Sequence, residues 1–256
     1  MIKNTKEDKR MNYKIYPVFL GSTMKPASED MYLYPTEETF ELPYTCHVIK
    51  GGGEVILIDA GLPSQECIRT TGKPFCHMDN APTFEEGLAK VGVKVQDVTK
   101  IIITHLHWDH CWNLGLFGEN VPVYVQRKEL EFAIAPLKYE LRLYSMLKEC
   151  GKPGWLDGLF NIHVLDGDEE IVPGITALLT PGHTPGSQCI LVDTEDGQYI
   201  MTGDSFPCFE NFDKQVPPGI HHDLEAWYKT WKRVKATGAR LIPSHEIKVF
   251  DHPFYG

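Results

Sequence analysis

The stretch THLHWDHCWN, residues 104–113, places three histidines and an aspartate within six consecutive positions. In an extended backbone alternate side chains point the same way, so His105, His107 and Asp109 can converge on one cavity. His110 adds a fourth group if the backbone turns there. Imidazole nitrogens and carboxylate oxygens are ligands of zinc and similar divalent metals. The spacing therefore predicts a metal site, with a polar surface turn as the alternative.

Runs rich in apolar, aromatic and β-branched residues predict the strands that would position this loop. They cover residues 13–22, 45–61, 99–104, 121–126, 171–180, 187–204 and 239–245. The second run contains the triplet GGG and the sixth contains EDG, and both triplets predict hairpin turns. The short run 99–104 leads directly into the histidine-rich stretch, so a buried strand would aim it.

Helical apolar spacing is found in fewer segments, namely residues 83–92, 127–150 and 223–238. Pro136 interrupts the second segment, so we expect two helical pieces there. The third begins at the N-cap candidate Asp223 and stops at Gly238. Strands separated by few helices predict two sheets flanked by helices in a single domain, residues 13–256. Residues 1–12 read as a disordered tail.

Composition excludes several classes of function. The net charge of −10 argues against a nucleic-acid partner and against adhesion to anionic membranes. The charged N-terminus MIKNTKEDKRMNYK has no apolar core and is not expected to be a secretory signal. The seven cysteines form no CxxC pair, a pattern typical of reduced thiols. We therefore expect a soluble cytoplasmic protein that acts on a small molecule.

The motif His105-x-His107-x-Asp109-His110 resembles the signature of the metallo-β-lactamase fold superfamily. The other motifs of that superfamily follow in order. They are LIDAG with Asp59, TPGHTPGS with His183, TGDS with Asp204 and PSH with His245. The resemblance covers about residues 13–250 and implies an α/β protein, a four-layer αβ/βα sandwich with a metal centre at one edge between the sheets.

Within the superfamily, the stretches VPVYVQRKELE, EEIVPGITALLTPGHTPGSQ and FENFDKQVP are most similar to N-acyl-homoserine lactonases. The resemblance implies one metal held by His105, His107 and His183, and a second held by Asp109, His110 and His245. Asp204 would bridge the metals, and Asp59 would orient a ligand by a hydrogen bond. The metals are expected to be zinc, although iron, manganese and cobalt accept the same ligands. A homodimer is a further family expectation.

This resemblance implies a dinuclear metallohydrolase in which a metal-bound hydroxide opens a lactone of the N-acyl-homoserine type, an activity known as quorum quenching. Asp109 and Asp204 would be the catalytic carboxylates, with Asp109 relaying a proton to the leaving group. A metal-free binding module is the alternative of another class, but such a module would be expected to have lost a ligand, and none of the seven is missing.

One position departs from the lactonase pattern. Those enzymes have a tyrosine three residues after the bridging aspartate, where its hydroxyl can stabilise the oxyanion. Here that residue is Pro207, which has no donor. Tyr44, Tyr255 or a residue of a helical lid at about 127–160 would then take over. The alternative is that the substrate is another ester, an amide or a thioester.

Overall fold

The computed structural model describes residues 12–65, 67, 78, 81–146 and 152–256, and shows two β-sheets. The first sheet has the order β1-β2-β3-β4-β5-β6 and the second the order β11-β10-β9-β8-β7. The strands of the first are β1 Lys14–Pro26, β2 Thr39–Gly51, β3 Glu54–Ile58, β4 Lys100–Ile102, β5 Val123–Gln126 and β6 Ile162–Leu165. Those of the second are β7 Glu169–Val172, β8 Ile175–Leu179, β9 Gln188–Thr194, β10 Gly197–Met201 and β11 Arg240–Ile242.

Five α-helices accompany the sheets in the described ranges. They are α1 Phe84–Lys90, α2 Trp108–Cys111, α3 Arg127–Ile134, α4 Phe209–Asp213 and α5 Leu224–Thr237. As the sequence predicts, α5 begins at the N-cap Asp223, whose side chain accepts a hydrogen bond from the amide of Ala226, and ends at Gly238 with φ of 67°. Among the described helices, none combines the length and the apolar character needed to cross a membrane.

The core lies in three layers, so successive apolar side chains along a strand point into different layers. Ile56 and Ile58 of β3 face the second sheet, where they meet Ile190 and Met201, while Leu57 between them faces the helices on the other side. Trp227 of α5 covers the outer face of the second sheet. The order helix, sheet, sheet, helix confirms the αβ/βα sandwich that the resemblance implies.

Three local predictions need correction or fall outside the described residues. Residues 171–180 are two strands, because Gly174 adopts φ of 84° and turns the chain between β7 and β8. The second helical piece of 127–150 is absent among the described residues up to 146, which form successive turns after α3 ends at Ile134. Residues 1–11 of the predicted tail and residues 147–151 of the predicted lid lie outside the described part of the chain.

The long strand β1 has a consequence for the site. It pairs with β2 along its length through a register shift between Phe19 and Ser22, which allows the strand to continue to Pro26. There the chain turns into a short 3₁₀ helix, Ala27–Glu29. This turn brings the end of β1 beside the edge of the sandwich where the other loops converge.

Candidate metal centre

The predicted site residues follow the carboxyl ends of strands from both sheets. Asp59 follows β3 and His105 follows β4, and these two strands are parallel neighbours. In the second sheet His183 follows β8, Asp204 follows β10 and His245 follows β11. Because β8, β10 and β11 run in one direction, their carboxyl ends share one edge. The fold therefore brings residues far apart in sequence to one point.

All seven predicted ligands meet there in two groups. Within each group one potential ligand atom per residue lies within 4.8 Å of the others. The first group is His105, His107, His183 and Asp204, and the second is Asp109, His110 and His245.

The Asp204 carboxylate faces both groups. Its Oδ2 atom lies 3.5 Å from Nε2 of His183 and 3.8 Å from Nε2 of His105. Its Oδ1 atom lies 3.1 Å from Nε2 of His245 and 3.2 Å from Nε2 of His110. Ser244 holds this orientation, since its hydroxyl donates to Oδ1 at 2.7 Å. One carboxylate thus presents one oxygen to each group, which is the arrangement a bridging ligand needs.

Four of the five histidines are fixed through the ring nitrogen that points away from the centre. Nδ1 of His183 donates to the carbonyl of Ile220, and Nδ1 of His245 donates to the carbonyl of Pro43, both at 2.7 Å. Because a carbonyl can only accept, these contacts assign a proton to Nδ1 of each ring and leave Nε2 to face the centre. The remaining contacts are His110 with Asp59 and His105 with the hydroxyl of Thr104.

The resulting arrangement is repulsive unless a cation is present. Nε2 of His183 lies 3.2 Å from Nε2 of His105 and 3.1 Å from Nδ1 of His107. With the proton of His183 on Nδ1 and that of His105 directed at Thr104, two lone pairs face each other. Nε2 of His110 is buried, and the oxygen that faces it at 3.2 Å, Oδ1 of Asp204, already accepts from Ser244. This donor set fits two divalent cations of the zinc type.

Burial and nearby charges divide the five histidines into two sets. Burial lowers the pKa of His105, His107 and His183, so these imidazoles stay neutral. Burial also acts to lower the pKa of His245 and His110, but nearby carboxylates outweigh it; they raise the pKa of His245 to about 9 and that of His110 well above its usual value, so a bound cation would displace a proton from each ring. In turn, His245 and His110 hold the pKa of Asp204 well below its usual range despite burial, so Asp204 is charged.

Asp59 is placed behind the histidines. It accepts hydrogen bonds from the amide of Thr104 at 2.7 Å, from the Thr104 hydroxyl at 2.9 Å and from Nδ1 of His110 at 2.8 Å. Its φ of 64° is unusual for a residue other than glycine and costs about 1–3 kcal/mol. Such a conformation persists because these three contacts define it.

Glu129 is a supporting residue that sequence reasoning missed. Its carboxylate is buried and accepts from the amides of Leu106 and Gly186 and from the hydroxyls of Tyr144 and Thr184. It therefore joins the loop of His105–His110 to the loop that carries His183. The only sequence signal was its place in the stretch VPVYVQRKELE.

The metal cavity is narrow, with about 50 Å³ of space for water. Pro207, which stands where the lactonases have a tyrosine, lines this cavity together with Trp108 and Leu143. Of the predicted substitutes, Tyr255 is directed elsewhere, because its hydroxyl donates to the carbonyl of Val249. Tyr44 packs behind His245, with the two rings 5.7 Å apart, and does not line the cavity.

Comparison with known proteins gives concordant results. The family described as the metallo-beta-lactamase superfamily matches residues 39–245. A protein of a Bacillus species named N-acyl homoserine lactonase is 33% identical over 248 residues, which cover 93% of this chain and 92% of that protein.

Solved structures agree. A mutant of B. thuringiensis AiiA with N-decanoyl-L-homoserine at its active site superposes with a TM-score of 0.76 and 29% identity, covering 93% of this chain and 95% of the other. An N-acyl homoserine lactone hydrolase with its product N-hexanoyl-L-homoserine at the catalytic metal centre gives a TM-score of 0.75 with the same identity and coverage.

Proposed function

The chain belongs to the metallo-β-lactamase superfamily and, within it, to the N-acyl homoserine lactonase family, and from this premise we propose that it is a dinuclear metal-dependent hydrolase that opens lactones of the N-acyl-homoserine type. The seven ligands would be His105, His107 and His183 for one ion and Asp109, His110 and His245 for the other, with Asp204 shared. Hydrolysis of another ester, an amide or a thioester is the second candidate, favoured by Pro207 alone.

The position of Asp204 is the observation that carries the proposal. Two cations about 3.5–4 Å apart repel each other, and a carboxylate between them offsets this repulsion. Asp204 contacts a histidine of each group within 3.5 Å and is held in its charged state by His245 and His110. A structural site with a closed set of ligands around one ion would not need this second group.

The chemistry divides between the ions and the chain. When bound, two divalent ions supply water activated near neutral pH and a Lewis acid for the carbonyl. The outer nitrogens of four histidines are committed to the acceptors described above, so their inner nitrogens would face the ions. Asp109 is partly exposed to the cavity, with Oδ2 3.8 Å from Nε2 of both His110 and His245. From there it can pass a proton to the leaving oxygen.

The surroundings of the cavity support an acylated substrate. A groove of about 360 Å³ also reaches His245, and Met31, Phe40 and Ile247 contribute apolar surface to it. An acyl chain could lie there while the lactone ring enters the metal cavity.

A ring-opening screen tests the proposal. The purified protein is loaded with zinc and assayed with a pH indicator. It should hydrolyse N-acyl homoserine lactones faster than aryl esters and thioesters. Simple γ- and δ-lactones would show whether the acyl amide is needed. Asp109→Asn should reduce turnover strongly, whereas Asp213→Asn, an exposed carboxylate on α4, should match the parent.

Two results would change the conclusion. Turnover of thioesters or aryl esters without any lactone would replace the lactonase by the second candidate. Lack of turnover on every substrate, in protein that holds two ions per chain, would end the proposal of a hydrolase of this kind.

Three finer features are also proposed. Zinc is the expected metal because the ligands are imidazoles and carboxylates, and metal analysis of the purified protein tests this. A cytoplasmic location is supported by free thiols, among them the buried Cys46, Cys111 and Cys189. A homodimer is expected by family resemblance, and sedimentation would test it.

A further inference from the structure

Pro207 lines one side of the metal cavity, and its side chain has no hydrogen-bond donor. Lactone opening builds negative charge on the carbonyl oxygen, and loss of one donor to such an oxygen costs about 10²–10³-fold in rate. Tyr255 points elsewhere and Tyr44 does not line the cavity. Beside the Lewis acid that the bound ions would supply, a second group is therefore expected to replace the missing donor.

Lys25 is the one lysine or arginine among the described residues that line this cavity. It lies at the end of β1, opposite Phe40 of β2, immediately before the turn at Pro26. Its side chain is only 20% exposed. A cation brought to a confined site beside Asp109, His245 and Pro207 differs from an ordinary surface lysine.

The contacts of Lys25 hold it without using up its donors. Nζ lies 3.2 Å from Oε2 of Glu29 and 5.7 Å from the centre of the Tyr44 ring. An ammonium has three N–H groups, so one can bind Glu29 while another turns to a ligand. Burial acts to lower the pKa of Lys25, but the carboxylates of Glu29, Asp109 and Asp30 outweigh it and raise the pKa, so the group stays charged.

We propose that the Lys25 ammonium stabilises the oxyanion during ring opening, in place of the hydroxyl that Pro207 does not provide. Asp109 takes one proton from water as the water oxygen adds to the carbonyl carbon, the π pair moves to the carbonyl oxygen, and an N–H of Lys25 donates to that oxygen. The carbonyl then reforms, the ring C–O bond breaks and the leaving oxygen receives its proton from Asp109. Lys25 keeps its own proton throughout. This inference rests on the proposed hydrolase function.

The flexible stem makes this role feasible. Lysine carries its charge on a four-carbon chain, and the ammonium can follow the carbonyl oxygen as its geometry changes. A charged donor also gives stronger hydrogen bonds to an anion than a neutral hydroxyl. The chain thus replaces a donor from the loop after β10 by one from the end of β1.

The primary test is Lys25→Met in the full-length zinc enzyme, since methionine keeps most of the apolar stem. With a homoserine lactone as substrate, kcat should fall about 10²-fold while KM changes less than about threefold. Lys14→Met is the matched control, because Lys14 lies on the same strand and its Nζ rests over the Phe254 ring, away from the cavity. Its kcat should equal that of the parent.

A binding measurement separates a catalytic role from a structural one. The ring-opened product N-hexanoyl-L-homoserine carries a carboxylate where the oxyanion would form. Its Kd should rise about tenfold in Lys25→Met, as expected for loss of a charged hydrogen bond. Lys25→Arg should restore most of the kcat, and Pro207→Tyr added to Lys25→Met should raise its kcat at least fivefold.

The outcomes are distinct. A kcat for Lys25→Met within threefold of the parent overturns the inference. An equal fall of kcat in Lys14→Met overturns it as well, and so does a loss of bound zinc from Lys25→Met that matches the fall of its kcat. If the parent itself turns over no lactone, ester or thioester, the proposed function fails before Lys25 is tested.

Discussion

Two sides of the metal cavity are built on different principles. We call the seven residues of the two ligand groups the floor, and we call Lys25, Glu29, Asp30 and Pro207 the wall. The five histidines of the floor are buried and its two aspartates half-buried, and most of its polar atoms have a defined partner. In the wall Glu29 is 42% exposed and, within the described residues, Oδ2 of Asp30 is buried with no hydrogen-bond partner. The metal ligands are therefore held by many contacts and the side chains of the wall by few.

The difference predicts that the largest losses come from the floor, and Asp204→Asn tests its centre. The neutral amide removes the charge between two sets of histidines and offers nitrogen in place of one oxygen. We expect kcat/KM to fall at least about 10⁴-fold, together with loss of metal measured by mass spectrometry. Asp213→Asn is the control. An Asp204→Asn protein with full activity would remove the reason for distinguishing floor from wall.

Glu129→Gln tests the support beneath the floor. The amide of glutamine cannot accept from all four donors that surround Glu129, so buried N–H and O–H groups lose partners. The free energy of unfolding, measured in urea, should fall by about 3 kcal/mol. Glu131→Gln changes an exposed residue of the same helix and should leave stability within about 0.5 kcal/mol of the parent. Equal stabilities of Glu129→Gln and the parent would show that the loop of His105–His110 and the loop of His183 keep their positions without Glu129.

Asp59→Asn isolates the orientation of His110. Asparagine adopts left-handed backbone at least as readily as aspartate, so the φ of 64° adds no penalty. Its NH₂ group, however, cannot accept from Nδ1 of His110 or from the Thr104 hydroxyl. Metal affinity, measured by competition with a chelator, should fall about 100-fold. Asp97→Asn, which changes an exposed carboxylate that accepts from the amide of Lys94, provides the comparison. An unchanged affinity in Asp59→Asn would contradict the role given to Asp59.

The contrast between the two sides also explains what the sequence could reveal. His105, His107, Asp109 and His110 are adjacent in the chain, so their spacing alone indicates a site. His183, Asp204 and His245 could be assigned as metal ligands only through resemblance, because the topology of the second sheet decides where β8, β10 and β11 end.

Lys25 could not be foreseen in this way. Its position depends on the register of β1 with β2 and on the turn after Pro26, and both are long-range features with no local motif. Glu129 was hidden for a similar reason, since a glutamate on a helix is usually exposed. The missed strand β6 is short and half-exposed, so its pattern is weak.

His47 provides a test based on pH. It lies on β2 beneath the floor, and burial together with the nearby charge of His110 lowers its pKa to about 4. The unfolded chain binds a proton below about pH 6.5, whereas the folded protein does not until about pH 4. Stability should therefore fall as the pH drops through this window, by about 2 kcal/mol at pH 5. His47→Gln should lose this part of the slope, and His163→Gln, at an exposed position, should keep it.

The smallest effect is expected in the wall, from Glu29→Gln. The ion pair with Lys25 is partly solvated, and such pairs contribute about 0–1 kcal/mol, so unfolding in urea should change by less than about 1 kcal/mol. A double-mutant cycle with Lys25→Met should give a coupling energy below the same limit, and the content of metal should not change. A loss comparable to that of Glu129→Gln would mean that the wall, like the floor, is needed for folding. A small loss would show instead that the charges of the wall can be exchanged at little cost in stability.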